Sequence, residues 1–185
     1  VPEIPGLDGV PCLDNARILE LTDVPEHLVI LGGSYIALEF GQIFRRFGAQ
    51  VTIIERGSQL VFREDADVAA AITEILELEG IDVVLDASAV SVAPEREGVA
   101  LTIEQAGEQR RVIGSHLFVA VGRTPNSDGL KADAAGIELD DRGFIVVDDY
   151  CRTTADGVFP VGDINGHGAF IRPSVSDGEI FLAQM

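Results

Sequence analysis

The chain has 185 residues and carries 31 Asp and Glu against 13 Lys and Arg, a formal net charge of −18 at pH 7. That balance argues against nucleic acid as a partner, because gripping phosphates requires clustered Lys and Arg, and 46% apolar residues are ample for a buried core rather than a disordered chain. No apolar run approaches the roughly 20 residues of a membrane helix and Val1-Pro2-Glu3-Ile4-Pro5 lacks the regions of a signal peptide, so the expectation is a cytoplasmic protein without a membrane partner.

Residues 1–22, rich in Pro and Gly, read as an extended lead-in or linker. His27 to Leu31 is an apolar strand, Gly32-Gly33-Ser34 a tight turn, and Tyr35 to Phe47 a helix with Ile36, Phe40, Ile43, Phe44 and Phe47 on its apolar face. Gly48 fits the helix C-terminus, and Val51 to Ile54 follows as a β-branched strand. A second helix is predicted from Asp65 to Glu79, closed by Gly80, then a strand from Ile81 to Leu85. The period next switches to two, and residues 89–93, 99–104 and 110–113 read as short antiparallel strands. Leu117 to Val121 is a further buried strand, ending in Gly122-Arg123-Thr124-Pro125-Asn126. Two more strands are predicted at Gly143 to Val147 and Val158 to Val161. The alternation implies an α/β fold: a Rossmann-like parallel sheet with an antiparallel β-meander insertion.

Gly32-x-Ser34-x-x-Ala37 lies directly after a strand and opens a helix, the placement of the dinucleotide fingerprint G-x-G-x-x-G/A. Small residues are needed there so that the chain turns sharply, brings its amides to a pyrophosphate and packs the helix against the sheet. Gly32, Gly33, Ser34, Tyr35, Ile36 and Ala37 are therefore candidate cofactor-binding residues. Ser34 departs from the pattern, narrowing the approach while adding a hydroxyl. Glu55 ends the next strand 23 residues after Gly32, near the offset at which a carboxylate accepts the hydroxyls of an adenosine ribose. It repels a 2′-phosphate, which favours NAD(H) over NADP(H), while Arg56 and Arg63 partly offset that repulsion. The alternative for the turn alone is ordinary close helix–sheet packing. Cys12 and Cys151 match neither a CxxC pair nor a zinc cluster by spacing and read as structural, with no metal site expected. His27 and His116 flank strands and also read as structural.

Four segments in order, Ile4 to Asp8, Gly32 to Glu39, Ala120 to Asn126 and Thr153 to Asp163, resemble the class I pyridine nucleotide-disulfide oxidoreductases. Phe62-Arg63-Glu64-Asp65 adds a likeness to the mercuric reductase branch, beside the dihydrolipoamide dehydrogenase type. The resemblance implies catalytic roles for Tyr35, as the ring that covers the flavin until nicotinamide displaces it, and for Glu39, as the helix carboxylate near nicotinamide. It places Gly122 beside the nicotinamide, and Gly162 and Asp163 at the ribitol of FAD. His167 lies where the family chain passes the flavin. The implied domains are a lead-in strip of the FAD domain at 1–22, an NAD(P)H-binding domain at 23–147 and a returning FAD-domain strip at 148–185. The only methionine is Met185, so the chain is read as a piece of a longer, homodimeric FAD enzyme whose redox cysteines and dimerisation domain lie elsewhere. Two alternatives stay open: a stand-alone NAD-binding sensor or regulatory module, and a flavoprotein of the NADH oxidase or ferredoxin reductase type.

Overall fold

Five parallel strands make the central sheet: β1 (Cys12–Leu13), β2 (His27–Leu31), β3 (Gln50–Ile54), β4 (Asp82–Val84) and β8 (His116–Val119), in the order β1-β8-β2-β3-β4. The computed structural model describes residues 2–184 apart from Glu97 and Ala169. By compactness the chain divides into one unit that ends at Gly122, which holds this sheet, and a second that starts at Arg123.

Alternate residues of a strand point to opposite faces, and β2 shows what each face meets. Leu28 and Ile30 join a cluster with Val51, Ile53 and Phe118 and with Ala37, Phe44, Ala69 and Leu76 from the helices α1 (Tyr35–Arg46) and α2 (Ala66–Leu78). Val29 and Leu31 join Ile54 and Leu117 in a second cluster with Val92, Leu101, Ile103 and Val112. Those last residues come from the antiparallel meander β5 (Ala87–Glu95), β6 (Gly98–Gln105) and β7 (Glu108–Gly114). The sheet is thus covered on one face by helices and on the other by the meander, which is why its strands are near-continuous apolar runs. Each fully buried aliphatic side chain contributes about 1.5–3 kcal/mol.

The helix ends follow local chemistry. Arg45 and Arg46 occupy the last turn of α1, where cations complement the helix dipole. Gly48 at φ +104° and Gly80 at φ +81° let the chain leave α1 and α2 in a left-handed turn. Among the described residues no helix is long and apolar enough to cross a membrane.

Two expectations are corrected. Residues 1–22 are not merely extended: they form 3-10 turns at Leu7–Gly9 and Arg17–Glu20, bury Leu7, Val10 and Ile18, and supply β1 to the sheet edge. Gly6 permits this at φ +83°, where an added Cβ would lie 2.0 Å from the Val92 carbonyl oxygen. In the second unit, 143–147 and 158–161 are not strands. Leu139 and Ile145 form an isolated antiparallel bridge, and the Ile145 amide donates to the Ile164 carbonyl. The amides of Thr153 and Val158 bond within their own turn, to the carbonyls of Val158 and Ala155. The unit instead contains a helix absent from the sequence expectation, α3 (Ile171–Leu182), whose Pro173 and Gly178 mask its helical pattern.

Candidate functional site: the glycine turn after the second strand

The turn between β2 and α1 sits at the C-terminal ends of the parallel strands, where open α/β sheets bind ligands. Gly32 takes φ +110°, and an added Cβ would meet the Ala120 carbonyl oxygen at 2.6 Å, so no other residue fits. Its amide donates to the Ile54 carbonyl at 2.8 Å and ties the turn to the end of β3. Gly33 is crowded by side chains rather than backbone: a Cβ there would lie 2.7 Å from Leu60 Cδ2 and 2.9 Å from Glu55 Cβ. Ser34 is the N-cap of α1, extended in backbone, and its hydroxyl makes no capping bond. Ala37 is fully buried and lets the helix pack on the sheet, while Ile36 is partly buried against the same core. A helix leaves its first-turn amides without intrahelical acceptors and its N-terminus positive, which suits an anion.

Glu55 converges on this turn. Its Oε2 accepts the Gly33 amide at 2.6 Å and its Oε1 the Gly57 amide at 2.8 Å. A carboxylate has about four lone-pair sites, so each oxygen retains capacity for a further donor. The loop after Glu55 folds back: the Val61 amide donates to the Gly33 carbonyl at 2.8 Å, with Val61 held at φ +43°. That brings Glu64 to Tyr35, whose hydroxyl donates to Glu64 Oε1. The bond and the nearby negative charge push the Tyr35 phenol above its ordinary pKa of 10.0. The sequence alone gives Glu64 no role; its one signal there is its place in Phe62-Arg63-Glu64-Asp65.

The remaining predicted residues are distributed more widely. Glu39 is exposed on α1, Arg56 and Arg63 are exposed in the loop, and Arg63 lies over the Phe62 ring at 5.5 Å. Gly122 is exposed at the end of the first unit with open space around its Cα. In the second unit, Gly162 at φ +86° donates its amide to Asp177 Oδ2 at 3.0 Å, and the Asp163 carboxylate pairs with Arg123. Asp177 is buried and also accepts from Asn165 Nδ2 at 2.7 Å, a role that no spacing in the sequence signals. A separate cleft of about 580 Å³, lined by His27, Gln50, Thr52, Asp82 and residues 110–113, opens at the opposite, N-terminal ends of β2 to β4.

Comparison with known proteins identifies the family and the fold. The family model for pyridine nucleotide-disulphide oxidoreductase matches residues 1–179. The mercuric reductase of Bacillus cereus is 36% identical over 177 residues, covering 96% of this chain and 28% of that protein. The probable pyridine nucleotide-disulfide oxidoreductase RclA of Escherichia coli (strain K12) is 38% identical over 181 residues, covering 97% of this chain and 40% of RclA. The solved structure of the HOCl-induced flavoprotein disulfide reductase RclA from Escherichia coli shares a TM-score of 0.90 at 36% identity, over 100% of this chain and 42% of that one. The chain spans less than half the length of these relatives.

Proposed function

Because this chain belongs to the pyridine nucleotide-disulphide oxidoreductase family, we propose that its glycine turn binds a nicotinamide dinucleotide and that it is the nucleotide-binding portion of an FAD-dependent oxidoreductase. The observation that carries the reading is Glu55, seated by two backbone amides at the mouth of a turn where a side chain on Gly32 would strike the neighbouring backbone.

The turn fits the group. Amides at the start of α1 receive the pyrophosphate, and the Ser34 hydroxyl adds a donor. Each Glu55 oxygen keeps a lone pair for a ribose hydroxyl, and its charge disfavours a 2′-phosphate, so NADH is preferred to NADPH. Arg56 and Arg63, both exposed, limit that preference without reversing it. When bound, the nicotinamide would supply a hydride to FAD for onward transfer to a disulfide, metal ion or other acceptor, and the protein would orient the rings. Tyr35, partly buried at the start of α1, and Glu39, exposed one turn later, act at the nicotinamide, with Gly122 at its border. Gly162 and Asp163 serve the FAD ribitol. The nucleotide-binding domain takes in residues 23–147, with strips 1–22 and 148–185 belonging to the FAD domain of a homodimeric cytoplasmic enzyme.

Titration of the purified chain with NADH and NADPH, followed by nicotinamide fluorescence, tests the reading. Weak, saturable NADH binding that is tighter than NADPH binding is expected, without turnover. Absence of binding at millimolar NADH would remove the nucleotide assignment, and tighter NADPH binding would reverse the role given to Glu55.

A further inference from the structure

Cys151, His167 and Asp177 all belong to the second unit, and each offers one ligand atom, a thiol sulfur, an imidazole nitrogen and a carboxylate oxygen, all within 4.8 Å of one another. We propose that these three side chains form a binding site for a borderline divalent cation of the Zn(II) class, with water as the fourth ligand. It goes beyond the nucleotide reading and does not rest on it.

The donor set selects the ion. Sulfur and nitrogen donors disfavour Mg(II) and Ca(II), which take oxygen, and a mixed S, N, O set suits tetrahedral zinc. At zinc bond lengths of about 2.0–2.3 Å the ligand atoms of a tetrahedron stand about 3.3–3.7 Å apart, so loading closes the site by at most about an ångström. His167, the exposed ligand, is the one with room to move inward, whereas Cys151 and Asp177 are buried.

The surroundings orient the ligands in the manner of an outer shell. Asn165, itself buried, donates to Asp177 Oδ2 at 2.7 Å and accepts the His167 amide at 3.0 Å, so one side chain sets both. The Gly162 amide adds a second bond to Asp177 Oδ2 at 3.0 Å. Cys151 is presented by a turn in which Asp148 Oδ1 accepts the amides of Tyr150 and Arg152, each at 2.9 Å, and the Asp148 carbonyl accepts the Cys151 amide at 3.0 Å. A bound ion would join this turn, the turn at 162–167 and α3 at one point. The sequence hides the site because its ligands come from three elements and match no metal-binding spacing.

Cobalt(II) is the probe, added to the reduced full chain and followed by absorption. One equivalent should produce a thiolate-to-cobalt charge-transfer band together with intense tetrahedral d–d bands, and Zn(II) should bleach both. Cys151→Ser should abolish the charge-transfer band, Cys12→Ser should leave it intact, and His167→Ala, a change at an exposed position, should weaken binding at least ~10-fold. No band with the wild type, a band that survives Cys151→Ser, or equal affinity in His167→Ala would each overturn the site. Circular dichroism of each variant separates loss of the ion from loss of the fold. The charge-transfer band reports the thiolate alone, so carboxylates elsewhere on this acidic chain do not imitate it.

Discussion

The Gly33 amide donates to Glu55 Oε2 at 2.6 Å, across 22 positions of sequence. With the Gly57 amide on the other oxygen at 2.8 Å, one carboxylate fastens the end of β3 to the turn that follows β2. The residue proposed to select the nucleotide therefore also shapes the cradle that receives it. Glu55→Gln puts an amide donor against a backbone donor, and hydrogen bonds to charged groups are worth about 1.5–3 kcal/mol. Urea unfolding should show a loss in that range, and NADH affinity should fall about tenfold or more, with a smaller change for NADPH. Equal loss for the two nucleotides would contradict the charge argument.

Gly32→Ala should cost more than Gly33→Ala. The first combines φ +110° with a 2.6 Å approach to a backbone oxygen, while the second meets side-chain atoms of Leu60 and Glu55. Strained positions of this kind cost about 1–3 kcal/mol before any clash. Thermal melts of both variants measure the order; a Gly32→Ala protein as stable as the wild type would show that the turn relaxes.

These glycines were legible in the sequence because the strand, turn and helix around them each carry a regular period. His27 to Leu31 and Val51 to Ile54 are apolar runs, and the helix face built on Phe40 and Phe44 repeats every three to four residues. The second unit offered no such period. Its order rests on turns, on the buried Asp177 reached by Gly162 and Asn165, and on a helix carrying Pro173 and Gly178. Long-range side-chain pairs such as Tyr35 with Glu64 are set by how the 55–64 loop folds back, which local pattern does not encode.

The Tyr35 phenol should titrate high. The chain has two tyrosines, so Tyr150→Phe leaves one phenol to follow by ultraviolet absorption. Its midpoint should lie above 10.0 and drop when Glu64→Gln removes the adjacent charge. The sign follows from linkage: the raised folded pKa gives a stabilisation present below pH 10 and lost as pH climbs through the folded value. A midpoint unmoved by Glu64→Gln would disprove the pairing in solution.

His27 carries the opposite dependence. Burial holds its imidazole below the ordinary 6.5, against the raising effects of the Ile113 backbone, Asp82 and Glu26, with Nε2 lying 2.9 Å from the Thr52 hydroxyl. The fold thus favours the neutral ring. Its contribution is complete above pH 6.5 and declines as pH falls below that value toward the folded pKa. His27→Gln should flatten the stability profile over that interval, measured by urea unfolding at stepped pH. Parallel profiles for variant and wild type would remove His27 as a source of acid sensitivity.

The strand order has a consequence for how the protein is made. β8 lies between β1 and β2, yet it emerges from the ribosome last of the strands of this sheet, about 89 residues after β2 begins at His27. At about 5–20 residues per second, the inner edge of β2 waits roughly 4–18 s for its neighbour during synthesis. Over that interval an apolar strand with unpaired amides and carbonyls is open to pairing with another nascent chain. The polypeptide is most vulnerable to misassembly before its centre is filled.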